Sequence, residues 1–277
     1  MLKSINHWSF PKAMPLEDVF EHAQKAGYDA IELNLGAEGA IGPNLASTAV
    51  ELREIRRLAD TYGLKLRSLS CGLMWDNSLS AVQPEVRERG YAIVVKQLET
   101  ASELGADTIL TVPGYCLDES TSYDSLEERS EAQLERLLPI AERHAVTIAL
   151  ENVWNKFLLS PTEMARFIDA FDSPWLGVYF DVGNVMPYGH PDQWIRILGN
   201  RIRKVHVKDF RRAVGNGSGF VPLLSGDVPW KAVMRALREI GYADTLTAEI
   251  GAYQAYPVQA VYDTSRHLDV LIEDEPR

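Results

Sequence analysis

The sequence predicts an α/β fold, a single (β/α)8 TIM barrel that spans residues 1–277. Strand-like and helix-like segments alternate along the whole chain, which favours a parallel sheet covered by helices. Eight such strand–helix units follow one another without a change in composition. A barrel of this kind takes about 250 residues, so one barrel accounts for all 277 residues. An open doubly wound sheet is the alternative for the same pattern.

The predicted strands are short apolar or alternating runs. Segment 29–34 alternates polar and apolar residues with period two, which is typical of a strand with two different faces. Segment 108–112 ends at Pro113-Gly114, a pair that stops regular structure. The predicted strands cover residues 2–7, 29–34, 64–71, 108–112, 146–151, 177–181, 202–207 and 245–250.

The predicted helices are marked by proline at their starts and glycine after their ends. Pro84 opens the segment that stops at Gly105, and this asymmetry is typical of helices. Ser160 and Glu163 fit a capping box at the start of another helix. The predicted helices cover residues 16–26, 48–62, 84–104, 125–144, 161–171, 191–198, 229–240 and 257–272.

The composition indicates which classes of partner and which cell compartment to expect. The net charge is −11, from 28 Lys and Arg against 39 Asp and Glu. Such a chain repels polyanions, so nucleic acid is not an expected partner. Two cysteines in 277 residues are typical of a reduced, cytoplasmic protein. Neither a signal-peptide pattern nor an apolar run of ~18 residues is present, so we expect a cytoplasmic protein without a membrane partner.

Four consecutive predicted strands end at a residue that can bind a metal. Glu151 and Asp181 end the fifth and sixth strands, and His206 and Glu249 lie near the ends of the seventh and eighth. Barrel chemistry occurs where the C-terminal ends of the strands meet, so the four side chains should converge. Three adjacent carboxylates need a cation to remain ionised together. Oxygen ligands with one imidazole suit Mn²⁺, Mg²⁺ or Co²⁺.

Each of these residues also has an ordinary structural explanation. A charged residue at a strand end commonly forms a salt bridge or caps a helix. Asp181 could cap the following turn, and His206 could be a buried histidine bonded to the backbone. Four such residues at the same end of neighbouring strands favour a metal site that also transfers protons.

Three runs of residues resemble a known family. They are Glu151-Asn152, Phe180-Asp181-Val182-Gly183-Asn184 and His206-Val207-Lys208-Asp209. With them, nearly the whole chain resembles the xylose-isomerase-like TIM barrel superfamily, in its sugar phosphate isomerase/epimerase group. That group includes ketose 3-epimerases and L-xylulose-5-phosphate or L-ribulose-5-phosphate 3-epimerases. The resemblance implies a small-molecule sugar or sugar phosphate as substrate and a homo-oligomer, either a dimer or a tetramer.

The resemblance also implies roles for individual residues. One divalent ion would be bound, with Mn²⁺ expected first and Mg²⁺, Co²⁺ or Zn²⁺ as alternatives. Glu151 and Glu249 would also lie on opposite faces of the substrate and exchange protons with C3. Arg212 would hold sugar hydroxyls. The implied metal ligands are Glu151, Asp181, His206 and Glu249.

Two positions depart from the pattern of the free-ketose enzymes. Those enzymes usually have a histidine three residues after the strand-six aspartate, where this chain has Asn184. The phosphate branch also carries asparagine there. The free-ketose enzymes have a glutamate six residues after the strand-five ligand, where this chain has Phe157. Both differences separate this chain from them.

Other residues are expected to line the substrate pocket. Aromatic walls suit the apolar face of a sugar, although core or loop packing is the alternative for each aromatic, and a backbone-bonded histidine for His7. Trp75 and Trp154 would shield the pocket from water, and Asn184 and Asp209 are further expected substrate contacts. The candidates after the first four strands are His7, Trp8, Glu32, Asn34, Ser70, Cys71 and Tyr115.

The segment 214–222 contains the run Gly215-Asn216-Gly217-Ser218-Gly219. Its backbone could form a phosphate nest beside Lys208, Arg211 and Arg212. A glycine run without a following helix is also typical of a surface loop, and we favour the loop.

The predicted function is an isomerase: a divalent-metal-dependent sugar or sugar-phosphate epimerase or isomerase that works through an enediolate with two glutamates. A metal-dependent lyase is the main alternative, either a keto-sugar dehydratase or a C-glycoside-cleaving subunit. An apurinic-endonuclease-like barrel would need further histidines, and Asn184 stands where one is expected. A non-catalytic, metal-stabilised barrel is the last alternative.

Overall fold

The computed structural model describes residues 1–116 and 121–273, which form a closed barrel of eight parallel strands surrounded by eight helices. The predicted (β/α)8 fold in a single domain is confirmed. The predicted domain also included residues 117–120 and 274–277, which lie outside the described part of the chain.

Eight of the ten strands in the described residues form the barrel. They pair in the order β1-β10-β7-β6-β5-β4-β3-β2, and β2 pairs with β1 to close it. β8 and β9 form a separate antiparallel hairpin that the sequence pattern did not predict. The strands are β1 (Leu2–Asn6), β2 (Ala30–Leu35), β3 (Ser68–Cys71), β4 (Thr108–Thr111), β5 (Thr147–Glu151), β6 (Leu176–Asp181), β7 (Ile202–Val207), β8 (Asp209–Phe210), β9 (Phe220–Val221) and β10 (Thr245–Ala248).

The helices begin and end close to the predicted positions. Gly105 follows one of them with φ of 78°, a left-handed conformation that glycine adopts without strain. Ser160 caps another by accepting a hydrogen bond from the Glu163 amide, but the Glu163 carboxylate bonds Tyr123 rather than completing the capping box. The helices are α1 (Leu16–Lys25), α2 (Ala49–Thr61), α3 (Pro84–Leu104), α4 (Tyr123–His144), α5 (Pro161–Ala170), α6 (Pro191–Leu198), α7 (Trp230–Glu239) and α8 (Gln259–Glu273). None of the helices in the described residues is long and apolar enough to span a membrane.

Strand alternation separates an apolar layer from a polar barrel interior. Val205 and Val207 belong to the apolar layer between strands and helices, whereas His206 between them contacts polar groups inside the barrel. Successive side chains of a strand point to opposite faces, so this division follows from the sequence of β7.

The N-terminal end of the barrel is closed by four charged side chains. Lys204 is almost fully buried, and its Nζ lies 2.8 Å from Asp107 Oδ1 and 2.7 Å from Asp244 Oδ2. Arg67 pairs with the same two aspartates. Burial would raise the pKa of Asp244, but Arg67 and Lys204 outweigh it and lower that pKa below its usual range. This end of the barrel therefore serves stability, and the opposite end is the place for chemistry.

Candidate metal centre and active site

Four side chains converge at the C-terminal ends of β5, β6, β7 and β10. Each offers one ligand atom, and these atoms all lie within 4.8 Å of one another. Glu151 ends β5 and Asp181 ends β6, while Glu249 directly follows β10. The fourth residue, His206, lies in β7. These strands are neighbours in the barrel, so the structure brings together the four residues that the sequence singled out.

Two asparagines hold the carboxylates in place. Asn152 bonds the backbone of Asp181 twice, accepting from its amide and donating to its carbonyl, both at 2.8 Å. The Asn184 amide nitrogen donates to Asp181 Oδ1 at 2.9 Å, and its side chain donates to Glu151 Oε1 at 3.3 Å. Asn184 therefore positions two of the four side chains from the turn after β6.

His206 is oriented by Glu32, which lies across the barrel interior on β2. Its Nε2 lies 2.6 Å from Glu32 Oε1, and both side chains are fully buried. Asn6 and Ser68 each donate to the same carboxylate at 2.6 Å, and Tyr179 donates to it at 2.5 Å. A carboxylate acceptor keeps the proton on Nε2 and turns Nδ1 towards the cluster, as in the carboxylate–histidine pairs of metal sites.

The atoms at the centre of the cluster fit a divalent ion. Asp181 Oδ2 and His206 Nδ1 are both buried at the centre of the cluster. They form ion-pair contacts, with Lys208 Nζ at 3.0 Å and with Glu249 Oε2 at 3.2 Å, but no hydrogen bond of regular geometry among the described residues. Both atoms are ordinary ligands of Mn²⁺, Mg²⁺ or Zn²⁺, so the donor set fits one such ion.

Lys208 also reaches these carboxylates. Its Nζ lies 2.7 Å from Glu249 Oε2 and 3.0 Å from Asp181 Oδ2. Burial would lower the pKa of Lys208, but the surrounding carboxylates outweigh it and raise that pKa, so the ammonium is charged. The sequence pattern places Lys208 in the run that resembles the family and beside the glycine loop, but does not predict this contact with the carboxylates. The available signal was its spacing, because a residue two positions after His206 continues along the same face of the chain.

The two glutamates experience different surroundings. Burial raises the pKa of Glu151. Burial acts in the same direction on Glu249, but Lys208 and His206 outweigh it and hold the pKa of Glu249 well below its usual range. Pairs of carboxyl groups whose pKa values are pushed apart are typical of acid–base sites.

Two cavities open beside Glu249 and share Trp8 as a wall. The first, of about 630 Å³, is also lined by His7 and Asn34. The second, of about 510 Å³, is lined by Lys208 and Gly217. Either volume suits a small organic ligand. The structure therefore places His7, Trp8 and Asn34 at the mouth with Glu249.

The other expected aromatic residues are not among the residues that line these two cavities. Trp75 stacks on Tyr115 with the ring centres 6.0 Å apart, and Tyr115 donates to the Trp75 carbonyl. Trp154 donates to the Asn184 carbonyl at 2.8 Å and stacks on Phe220, which lines the second cavity. Phe157 is buried against other aromatic rings rather than facing the mouth.

Arg212 and Asp209 are engaged with the protein itself. Arg212 is exposed, and its Nε donates to the Met186 carbonyl at 3.2 Å. Asp209 is fully buried and accepts four N–H groups, so it holds the segment after β9. The donors are the backbone amides of Phe210, Gly226 and Val228 and the indole of Trp230.

The remaining candidates are buried or belong to the hairpin loop. Ser70 and Cys71 are buried on β3, and burial raises the pKa of Cys71 to about 11. The glycine loop contains the short 3-10 turn Gly217–Gly219 between β8 and β9. The Arg211 backbone amide donates to the Gly219 carbonyl at 2.8 Å, and its side chain donates to the Ser225 carbonyl.

The fold and the site define a family. The family model of the xylose isomerase-like TIM barrel matches residues 20–271, and the chain belongs to this family, as its resemblance led us to expect. Among curated relatives, the L-ribulose-5-phosphate 3-epimerase UlaE of Salmonella paratyphi A is 24% identical over 247 residues, which cover 87% of this chain and 85% of that protein.

Two solved structures show the same fold. D-psicose 3-epimerase with D-tagatose, from Clostridium cellulolyticum H10, has a TM-score of 0.81 at 17% identity and covers 98% of both chains. The IolI protein with a bound zinc atom has a TM-score of 0.79 at 19% identity, again over 98% of both chains.

Proposed function

We propose that this protein is a divalent-metal-dependent 3-epimerase of a ketose or ketose phosphate. The observation that carries the proposal is the convergence of Glu151 and Glu249 on one buried centre with Asp181 and His206. Curated and structural relatives are named as ketose or ketose-phosphate 3-epimerases, which supports the same reaction.

The proposed metal ligands are Glu151, Asp181, His206 and Glu249, with Mn²⁺ as the expected ion. A bound ion would supply electrostatic stabilisation of the oxygen charge that develops when a proton leaves C3. The residues of the chain hold this arrangement: Asn184 fixes Asp181 and Glu151, and Glu32 fixes the His206 ring.

Proton transfer is the task of the two glutamates. One carboxylate removes the proton from C3, and the resulting enediolate is planar at that carbon. The other glutamate, as the acid, returns a proton from the opposite face, which inverts the carbon. The roles exchange for the reverse reaction. His7, Trp8 and Asn34 are the proposed contacts for the rest of the sugar, because they line the cavity that reaches Glu249.

Phosphorylated ketoses are the first substrates to test. Asn184 and Phe157 replace residues typical of the free-ketose enzymes, and UlaE is named for L-ribulose 5-phosphate. Arg212 and the loop at Gly217 remain proposed contacts for the polar end of the substrate. The predicted dimer or tetramer stays a prediction.

The test is solvent-deuterium incorporation in ²H₂O with Mn²⁺ over L-ribulose 5-phosphate, D-psicose, D-tagatose and D-fructose. We expect deuterium at C3 together with the 3-epimer. Glu151→Gln and Glu249→Gln should each abolish exchange, whereas Glu103→Gln, at a partly exposed position on α3, should leave it unchanged. Deuterium at C1 of the ketose, with formation of the aldose, would make the protein an aldose–ketose isomerase. Loss of water would make it a lyase, and no exchange with any substrate would refute the proposal.

A further inference from the structure

Lys208 contacts the oxygens that converge on the centre of the cluster. Glu249 Oε2 and Asp181 Oδ2 lie 3.2 Å and 3.9 Å from His206 Nδ1. The Lys208 ammonium lies within 3.0 Å of both oxygens. Two of the four groups that would bind a divalent ion are therefore already paired with Lys208.

Close packing holds Lys208 in this position. A Cβ at Gly183 would lie 2.8 Å from Lys208 Cβ and 3.0 Å from its carbonyl oxygen, so the turn after β6 lies directly on the lysine. Its Nζ is 5.5 Å from the centre of the Phe220 ring, and only 16% of the side chain is exposed. Lys208 is therefore fixed at the site, unlike a mobile surface lysine that forms a transient ion pair.

Charge explains why a lysine stands there. Three carboxylates converge, and among the described residues His206 and Lys208 are their only basic ion-pair partners. An ammonium in a partly desolvated site stabilises such carboxylates strongly. The same ammonium repels a divalent ion and occupies its ligands.

We propose that Lys208 is an internal counter-ion of the metal centre, which stabilises the carboxylate cluster and competes with the divalent ion for Glu249 and Asp181. Lys208 is thus a positioning residue that lowers metal affinity and keeps the ion exchangeable. This inference rests on the proposed metal-dependent function.

The test compares Lys208→Met with wild type in two measurements: Mn²⁺ binding by titration calorimetry, and Tm with EDTA or with saturating Mn²⁺. We expect Lys208→Met to bind Mn²⁺ at least about tenfold more tightly, which corresponds to ~1.4 kcal/mol. Its Tm in EDTA should fall below that of wild type, and Mn²⁺ should raise its Tm by more than it raises the wild-type Tm.

Two further variants sharpen the comparison. Lys208→Arg keeps the charge, so its Mn²⁺ affinity should stay closer to wild type than that of Lys208→Met. Lys12→Met removes a positive charge from an exposed side chain that lines the same mouth, and both of its measurements should match wild type. The Mn²⁺ affinity is measured separately, below the Tm of the metal-free variant. A loss of stability in EDTA therefore does not block the test.

Unchanged or weaker Mn²⁺ binding by Lys208→Met, with wild-type Tm in EDTA, would overturn the counter-ion role. Tighter binding by Lys12→Met to the same extent would also overturn it, because the effect would then be one of general charge. If wild type itself binds neither Mn²⁺ nor another divalent ion, the proposed metal-dependent function fails first, and the two failures are distinguishable.

Discussion

Glu32→Gln is the most informative single substitution beneath the site. Glu32 accepts hydrogen bonds from four buried groups, two on each oxygen: Oε1 receives Asn6 and His206, and Oε2 receives Ser68 and Tyr179. An amide replaces one oxygen by a donor. The hydroxyl groups of Ser68 and Tyr179 can rotate to accept from it, so we expect the amide nitrogen on their side and the oxygen on the side of His206.

The expected loss of unfolding free energy in Glu32→Gln follows from these four hydrogen bonds. A hydrogen bond to a charged group contributes ~1 kcal/mol more than a neutral one, so the variant should lose at most about 4 kcal/mol of unfolding free energy. Relief from burying a charge offsets part of that loss, which leaves about 2–3 kcal/mol. Metal affinity should fall about 10–100-fold, the usual effect of removing a ligand's supporting partner, because His206 loses its charged acceptor.

Urea unfolding in EDTA and Mn²⁺ titration calorimetry measure the two effects. Glu103→Gln is the control, since Glu103 forms an exposed ion pair with Arg53 and such pairs contribute about 0–1 kcal/mol. A Glu32→Gln protein that binds Mn²⁺ within about twofold of wild type would refute the orienting role of Glu32. If Glu32→Gln and Glu103→Gln lowered the unfolding free energy equally, the burial of Glu32 and its hydrogen bonds would not explain the effect.

Three other predictions concern the scaffold. Gly90→Ala should destabilise the chain by about 1–3 kcal/mol, measured by urea unfolding, because the new Cβ would lie 2.2 Å from the Asn77 carbonyl oxygen; a neutral result would contradict the rigidity of that contact. Ser160→Ala should cost about 1 kcal/mol through loss of the cap on the Glu163 amide, whereas Ser160→Asp should retain most of the stability. The pKa of Asp244 is lowered from 3.8, so its carboxylate stabilises the fold above that pH, and the stabilisation is lost as the pH falls below it. The Tm difference between wild type and Asp244→Asn should therefore shrink below pH ~3.8. A constant difference would contradict the ion-pair explanation.

The sequence was sufficient to predict the barrel fold and the convergence of the four candidate metal ligands. Glu151 and Asp181 each end a strand whose apolar run and alternation are visible, and the C-terminal ends of neighbouring parallel strands share one mouth. Only the order of strands was needed, and a (β/α)8 barrel fixes that order. Similar reasoning could not identify the partner of His206, because β2 and β7 are separated by two strands and Glu32 meets His206 across the interior.

Asp209 illustrates a second limit of sequence patterns. It belongs to the run of residues that begins at His206, and the sequence predicts that it contacts substrate; that contact stays a prediction. In the structure its carboxylate is taken up by N–H groups of the segment 226–230 and by the amide of Phe210. The hairpin of β8 and β9 brings that segment close, and nothing in the local pattern indicates which loop will fold back on a given carboxylate.

Three basic residues in β7 and directly after it pair with acidic groups at three levels of the barrel interior. Lys204, His206 and Lys208 are spaced by two and follow the same side of the chain. Lys204 meets Asp107 and Asp244 at the N-terminal end of the barrel, His206 meets Glu32 in the middle, and Lys208 meets Asp181 and Glu249 at the mouth. At each level a basic group of one strand offsets acidic groups that come from other strands. Among the described residues, removing Lys204 should therefore leave Asp107 and Asp244 with Arg67 alone, and removing Lys208 should leave Asp181 and Glu249 with His206 alone, at opposite ends of the barrel. A divalent ion can replace the lost charge only at the mouth, where four ligand atoms converge, so Mn²⁺ should restore the Tm of Lys208→Met but not that of Lys204→Met.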